Sequence, residues 1–243
     1  MAGDDVWLAG VDGCRAGWVA ALVRPRGGEI RVRVVSRFAD VVTAPEAPAV
    51  IAVDIPIGLP ERVGPGGRAA ENAVRPLLGA RQSSVFSVPS RAAIAERDYR
   101  AACALALQTS DPPRKVSKQL FNIAPKIREV DDFLRDCPDA AGRIHETHPE
   151  LAFWFLNGER EVPEPKKVKS RPYPPGLALR RRLLAQGVVP VDGLPVPDGA
   201  GADDLIDAVA CALVARRIHD GVARAYPPAI ERDGRGLRMA IWV

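Results

Sequence analysis

Short apolar runs separated by glycine-rich turns dominate the first part of the chain. Residues 6–11 and 18–23 are apolar runs, and residues 30–34 alternate apolar side chains with arginines. Alternation and short turns are typical of antiparallel strands, so these runs predict a meander. After a brief helix at 38–42, the β-branched run at 49–53 lies between prolines and predicts a buried strand.

The periodicity becomes helical between residues 60 and 140. Helices are predicted at 68–78, 91–107 and 117–135, and a proline pair separates the last two. Further along we expect a strand at 143–147, a short helix that begins near Pro149, a loop at 162–176, a helix at 177–185, a loop at 190–202 and a helix at 203–220. The 243 residues indicate one domain over 1–243 with a helical insertion at about 60–140.

Composition excludes several classes of protein. Hydrophobic residues make up 47% and charged residues 26% of the chain, so a packed core is expected and disorder of the whole chain is not. No apolar run approaches the roughly 20 residues that span a bilayer, and the acidic N-terminus is unlike a signal peptide. The four cysteines lie too far apart in sequence for a zinc knuckle or redox pair, which favours a reducing compartment. We therefore expect a cytoplasmic protein that does not enter the membrane.

Acidic residues recur at the ends of predicted strands. Asp12 follows the first apolar run, Asp54 follows the buried run at 49–53, and Glu146 lies near the end of the strand at 143–147. In open α/β sheets the carboxyl ends of strands border the crevice that binds ligands. Buried carboxylates need a positive partner, and Mg²⁺ accepts a few carboxylates while it keeps its waters. The pattern predicts a divalent-metal site.

The last predicted helix carries two more candidate ligands. Asp204 and Asp207 are three residues apart and share a helix face. Asp207 borders the apolar stripe and is followed by small residues, which would let the helix approach the sheet and bring Asp207 to the strand-end acids. The alternatives are structural. Asp203 or Asp204 could cap the helix, at about 0.3–1 kcal/mol for each acid in the first turn, and the strand-end acids could be ordinary turn residues.

Positive charge is concentrated in one segment. The net charge is +4 and the pI is about 9.0, which mildly favours a polyanionic partner. No acidic residue interrupts the basic residues between 166 and 182. This segment is either a solvated surface or a strip that contacts phosphates. Its members are Lys166, Lys167, Lys169, Arg171, Arg180, Arg181 and Arg182.

Three sequence motifs resemble, in order, the acidic motifs of RuvC-like resolvases in the RNase H-like superfamily. They are Gly-Val-Asp-Gly at 10–13, Ala-Val-Asp-Ile-Pro-Ile-Gly at 52–58 and Asp-Leu-Ile-Asp-Ala-Val-Ala at 204–210. The whole chain is more specifically similar to a family of prokaryotic proteins, a domain of unknown function predicted to be RNase H-like nucleases. Ser-Ser-Val-Phe at 83–86 and Glu-Thr-His-Pro-Glu at 146–150 add to that similarity.

The resemblance implies an RNase H-like fold, with a five-stranded mixed sheet and helices on both faces. It also implies catalytic aspartates at positions 12, 54 and 207, with Asp204 as a close candidate. Two Mg²⁺ or Mn²⁺ ions would then hydrolyse a phosphodiester bond. Asp12 would bridge both ions, and Asp54 and Asp207 or Asp204 would each hold one. Glu146 joins the predicted catalytic set from its strand position.

A nucleic acid is the expected partner of such a site. Arg81, Lys126 and the basic strip at 166–182 are the candidate contacts to its backbone. DNA and RNA remain equally open, as does the oligomeric state.

Two other classes of function compete with the nuclease. The first is an actin-like or sugar-kinase-like phosphotransferase, which needs glycine-rich phosphate loops. Residues 12–17 offer only one weak loop of that kind. The second is a binding or scaffold protein that keeps the fold without catalysis. Nuclease activity, nucleotide hydrolysis or neither would distinguish the three.

Overall fold

A five-stranded mixed sheet forms the centre of the computed structural model, which describes residues 6–26, 28–169, 171–186 and 193–243. Its strands lie in the order β3-β2-β1-β4-β5. β2 pairs antiparallel with β1 and β3, and β4 pairs parallel with β1 and β5. The predicted α/β fold with a five-stranded mixed sheet is therefore confirmed. The strands are β1 Leu8–Cys14, β2 Gly17–Val23, β3 Ile30–Val35, β4 Val50–Val53 and β5 Ile144–Glu146.

Helices cover both faces of the sheet. On one face α1, α3, α4 and α5 form a core with the sheet, and on the other face α6, α7 and α8 form a second core. None of the described helices is long and apolar enough to cross a membrane. The helices are α1 Phe38–Val42, α2 Ala69–Val74, α3 Arg91–Ala95, α4 Tyr99–Thr109, α5 Lys118–Asp136, α6 Pro149–Leu156, α7 Pro174–Ala185 and α8 Ala202–His219, with 3₁₀ helices at Arg75–Ser84 and Pro138–Gly142.

Several boundaries differ from the predictions for local reasons. The helix predicted at 91–107 is two helices, because Glu96 is extended and the Asp98 carboxylate caps α4 by accepting from the Ala101 amide at 2.9 Å. The helix predicted at 68–78 gives way to the 3₁₀ segment after α2. The loop predicted at 162–176 holds the short strands β6 Lys167–Val168 and β7 Arg171–Pro172. Residues 190–192 of the other predicted loop lie outside the described residues.

A hairpin near the end of the chain was not predicted. β8 Ala225–Arg232 pairs antiparallel with β9 Arg238–Trp242, with a register shift between Tyr226 and Glu231. Two consecutive prolines within β8 obscure the strand signal, because proline cannot donate to a ladder. The hairpin contacts β5, where the Thr147 hydroxyl donates to the Trp242 carbonyl at 2.9 Å.

The closest approach of a helix to the sheet is at Gly10 in β1. A Cβ built on Gly10 would lie 1.9 Å from the Ala212 amide nitrogen and 2.1 Å from the Ala208 carbonyl oxygen of α8. Both positions of contact carry alanine, so the helix backbone rests directly on the strand. This contact fixes the height of α8 above the ends of β1 and β4.

We expect Gly10→Ala to be strongly destabilising, because the methyl group meets backbone atoms that cannot rotate away. A loss of about 1–3 kcal/mol or more corresponds to at least several degrees in melting temperature. Gly64→Ala is the matched control, because a Cβ there meets nothing within 4 Å. Equal melting temperatures of the two variants would show that α8 does not rest on β1 as described.

Candidate active site

Asp12 and Asp54 lie at adjacent strand ends and face the same side of the sheet. The Asp54 amide donates to the Val11 carbonyl at 2.9 Å, so the two aspartates are neighbours across the β1–β4 pair. Strand alternation puts Asp12 on the face of Gly10, which contacts α8. Both aspartates line a cavity of about 210 Å³.

Asp207 on α8 completes the acidic group. It is 5% exposed, and its Oδ1 has no hydrogen-bond partner among the described residues. Burial raises the pKa of Asp207 to about 7, and Asp54 adds to the rise while Lys166 opposes it. Burial, with repulsion from Asp207 and Asp54, also raises the pKa of Asp12 well above its usual range. The structure therefore brings together three of the predicted aspartates, which we call the acidic cluster: Asp12, Asp54 and Asp207.

Lys166 supplies a positive charge to this cluster. Its ammonium group contacts the Asp207 carboxylate and lies 3.7 Å from Glu150 Oε1. Burial alone would lower the pKa of Lys166, but Asp207 and Glu150 raise it above its usual value. Lys166 therefore remains charged, and sequence reasoning that placed it on a phosphate strip missed this internal role.

Glu150 is held in turn by a buried arginine. The Arg180 guanidinium donates to both Glu150 carboxylate oxygens, at 2.6 and 3.1 Å. Arg180 is fully buried, and it also donates to the carbonyls of Glu164 and Gly176 at 2.8 and 3.0 Å. Although burial opposes it, Lys166 and Arg180 lower the pKa of Glu150 below its usual value. Positive and negative charges thus alternate along the series of ion pairs Arg180–Glu150–Lys166–Asp207 in the second core.

Glu146 differs from the other predicted acidic residues because its carboxylate pairs with an arginine. Its carboxylate accepts from the Arg68 guanidinium at 2.6 and 3.0 Å and from the Ile57 amide at 2.8 Å. Burial raises the pKa of Glu146 to about 7, and Arg68 opposes the rise. Glu146 borders the same cavity as Asp12, but its oxygens tie the segment after β4 to β5.

The two aspartates at the start of α8 serve the helix end. Asp204 Oδ2 accepts from the Gly201 amide at 2.8 Å, which closes the first turn. Asp203 pairs with the Lys167 ammonium group at 2.5 Å. Asp204 also raises the pKa of Asp12, but one of its oxygens already serves the helix end.

His148 and Glu150 are further functional candidates. The sequence predicts a helix cap at His148, with assistance in proton transfer as the alternative. The His148 Nε2 lies 3.2 Å from the Ser84 carbonyl, and its Nδ1 accepts from the Glu150 amide at 3.2 Å. In this arrangement Nδ1 accepts, and Nε2 is the ring nitrogen placed to donate to the Ser84 carbonyl. This arrangement caps α6 and holds the 3₁₀ segment beside the cavity. The Glu-Thr-His-Pro-Glu motif at 146–150 was the available signal.

The predicted phosphate contacts are dispersed. Lys126 lines the cavity beside Asp12, with its ammonium group on the Gly17 carbonyl and 4.4 Å from the centre of the Trp18 ring. Arg81 is half-buried and does not line that cavity. Of the strip, Lys166 and Arg180 point into the protein, Arg181 is half-buried, and the exposed members are Lys167, Lys169, Arg171 and Arg182.

Carboxylates such as those of the acidic cluster are suitable ligands for a hard divalent cation, although Lys166 neutralises one of them in this structure. Among the described residues no group of three or more His, Cys, Asp or Glu side chains is already arranged around a metal position. However, Asp207 Oδ1 lacks a partner, and the Asp54 carboxylate accepts no hydrogen bond from the described residues. Free carboxylate oxygens beside a crevice are the ligands that Mg²⁺ prefers.

The raised pKa values predict an unusual pH dependence of stability. Because the folded state holds protons on Asp12 and Asp207 more tightly than the unfolded chain does, these groups destabilise the protein as pH rises toward 8. We expect Asp12→Asn in EDTA to melt above wild type near pH 8, and the difference to shrink by at least about 2–4 °C, or about 1 kcal/mol, by pH 5.5.

The control for this measurement is Asp220→Asn, which changes an exposed aspartate just after α8. Its melting temperature should track wild type at every pH. A difference between Asp12→Asn and wild type that stays constant from about pH 8 to 5.5 would show that Asp12 is not part of a repulsive cluster.

Comparison with known sequences identifies a family but names no activity. No curated protein and no solved structure shows significant similarity to the chain. Residues 10–232 match the profile of a family described as "Protein of unknown function (DUF429)". Because that match extends from β1 through β8 and covers most of the 243 residues, the chain belongs to the DUF429 family.

Proposed function

We propose that this protein is a metal-dependent nuclease with an RNase H-like fold, which hydrolyses phosphodiester bonds in a nucleic acid. The observation that carries the proposal is the acidic cluster, in which Asp54 and Asp207 raise the pKa of Asp12, and Asp54 raises that of Asp207. Stability alone does not favour such a cluster, since like charges in a dry site are costly. The five-stranded mixed sheet and the acidic motifs support the RNase H-like assignment.

Each acidic residue has a distinct part in the proposal. Asp12 and Asp54 would hold metal from the sheet side, and Asp207 from α8, with the remaining oxygen of Asp204 in support. When bound, Mg²⁺ or Mn²⁺ supplies an activated water and neutralises charge on the phosphate. Glu146 holds the loop after β4 through Arg68, so we assign it a positioning role.

Basic side chains near the cavity would position the substrate. Lys126 places a positive charge beside Asp12 in the cavity, where a phosphate that neighbours the reacting bond would lie. The exposed lysines and arginines of the strip at 166–182 would extend this contact along the backbone. Arg180 and Lys166 are excluded from that role, because they neutralise Glu150 and Asp207.

One observation favours the alternative of a non-catalytic binding protein. The Lys166 ammonium group already neutralises Asp207, so the acidic cluster persists in the fold without a metal. A metal-dependent nuclease requires a divalent cation that can compete with Lys166 for the Asp207 carboxylate. A non-catalytic binding protein has no such requirement.

We also propose that the protein acts in the cytoplasm. The four cysteines are free thiols, and three of them are buried, as expected for a reducing compartment.

Activity is tested with labelled DNA and RNA as single strands, duplexes and junctions, each with Mg²⁺ or Mn²⁺. We expect wild type to cleave at least one substrate and Asp12→Asn to be slower by about 100-fold or more, since each 1.36 kcal/mol of lost transition-state stabilisation costs a factor of ten. Asp220→Asn should retain wild-type activity. Cleavage that survives in Asp12→Asn would identify a contaminant or a different site.

Replacement of Lys166 tests competition between lysine and metal. Lys166→Met leaves Asp207 without its counter-ion, while Glu150 keeps Arg180. We therefore expect a lower melting temperature in EDTA and a larger rise with Mg²⁺ or Mn²⁺ than in wild type. Lys167→Met is the matched control, because Lys167 is exposed and pairs with Asp203 outside the cluster. A metal-induced rise no larger than in wild type would favour the non-catalytic alternative.

A further inference from the structure

A second and larger cavity lies at the outer edge of β5. Its volume is about 680 Å³, within the roughly 300–1,000 Å³ range of small-molecule sites. The end of α5, the 3₁₀ helix after it, β5, β9 and the turn before β9 form its walls. Glu146 borders both cavities, so this cavity is a neighbour of the acidic cluster but shares none of the three aspartates.

Arginines give this second cavity an excess of positive charge. Arg232, Arg235 and Arg238 line it, and none of these three has a carboxylate within 4.0 Å among the described residues. We call it the arginine cavity, after these three residues. Arg135 also lines it but pairs with the carboxylates of α5. The acidic lining residues are the exposed Asp136 and Glu146, which Arg68 already holds.

The like charges lie close enough to repel each other. Burial lowers the pKa of Arg238 below its usual value, and the positive charge of Arg232 adds to that effect. A fold gains nothing from placing two guanidinium groups together without an anion, so the arrangement indicates a ligand that would neutralise them.

Hydrogen bonds hold these arginines in place. The Arg238 guanidinium donates to the carbonyls of Ala141, Gly142 and Ile144 at 2.8, 3.2 and 3.2 Å. Arg232 Nη1 donates to the Gly236 carbonyl at 2.6 Å. Fixed donors lose little conformational entropy when they bind a ligand.

The turn that carries Arg235 is fixed by one buried carboxylate. Asp233 accepts from the amides of Arg235 and Leu237 and from the Leu59 amide, each at 2.9 Å. It also accepts from the Arg91 guanidinium at 2.5 Å. The backbone at Arg235 is therefore anchored to the first core, while the Arg235 side chain is exposed and free of ion pairs with the described residues.

A buried histidine forms part of the wall of the arginine cavity. His145 lines the cavity and is 7% exposed. Burial and the charge of Arg238 lower the pKa of His145 to about 4, so the ring is neutral at pH 7 and adds no positive charge to the cavity.

The remaining walls of the arginine cavity are apolar. Ile144, Leu237 and Trp242 are among them, and the His145 ring packs edge-on against Trp242 with centroids 5.2 Å apart. Apolar walls beside a few fixed polar groups characterise sites for small organic ligands. A flat nucleic-acid surface would not require this recessed apolar part.

We propose that the arginine cavity binds a small organic molecule that carries a phosphate group. Arg232, Arg235 and Arg238 receive the phosphate, because guanidinium groups match its oxygens in geometry and charge. The apolar walls, with the neutral His145 ring packed against Trp242, contact the organic part. This site does not depend on the nuclease proposed above.

Calorimetric titration in EDTA tests the proposal with phenyl phosphate and AMP, each against its phosphate-free counterpart, phenol or adenosine. EDTA keeps divalent metal from the acidic cluster. We expect at least one phosphate compound to bind saturably and its counterpart to bind at least about 10-fold more weakly, or about 1.4 kcal/mol. No saturable binding of either phosphate compound at millimolar concentration would overturn the proposal.

Arg235→Ala locates the binding. This exposed side chain forms no ion pair with the described residues, so the variant should fold and melt no lower than wild type, while its affinity for the phosphate compound falls about 10-fold. Arg100→Ala, which removes an exposed arginine of α4, should bind as wild type. Equal losses in both variants, or no loss in Arg235→Ala, would overturn the proposal. Binding of a single-stranded oligonucleotide that depends on Arg235, without binding of either small phosphate, would also overturn it.

Discussion

The direct contact of α8 with β1 at Gly10 determines where the chemistry of this protein lies. Since no side chain separates the strand from Ala208 and Ala212, the helix lies low over the sheet. Asp207 then faces the ends of β1 and β4, where Asp12 lies near the end of β1 and Asp54 follows β4. Three carboxylates come together in a buried crevice because of one missing side chain, and every electrostatic feature of the site follows from that proximity.

Burial of three carboxylates is unfavourable, and the protein offsets it with a chain of alternating charges. Lys166 neutralises Asp207, Glu150 helps to keep Lys166 charged, and Arg180 holds Glu150 with two hydrogen bonds. Asp12 and Asp54 remain less well compensated, so their pKa values are raised. The crevice therefore retains a preference for positive charge after its internal lysine is counted. That preference is the basis on which we propose a divalent cation as the ligand.

The hydrophobic pattern predicted the strands of the five-stranded sheet because each strand has its own run of apolar or alternating residues. The run before Asp54 ends where β4 ends, and the run before Asp12 ends three residues before the end of β1. The β8–β9 hairpin was not predicted from the sequence. The prolines of β8 have low strand propensity, and the pairing of the two strands is irregular. Helices α3 and α4 were merged because alanine-rich spacing continues through the break, which only the cap at Asp98 reveals.

The sequence predicted a site residue only where its position in a strand or helix determines which way its side chain points. Asp12, Asp54 and Asp207 could be found from strand ends and a helix face. Lys166 and Arg180 could not, since a run of basic residues predicts a surface unless the buried partner is known, and Glu150 is a partner from another helix. The arginine cavity assembles from α5, β5 and β9, which are far apart in sequence, so no local pattern indicates it.

The central claim is that the acidic cluster is a divalent-metal site from which Lys166 is displaced. Anomalous diffraction from crystals grown with Mn²⁺ tests it most directly, because Mn²⁺ gives a signal that neither lysine nor water can produce. The account predicts an anomalous peak in contact with the carboxylates of Asp12, Asp54 and Asp207, and a Lys166 ammonium group that has moved away from Asp207. Ordered crystals with no peak at these carboxylates, and with Lys166 still on Asp207, would contradict it.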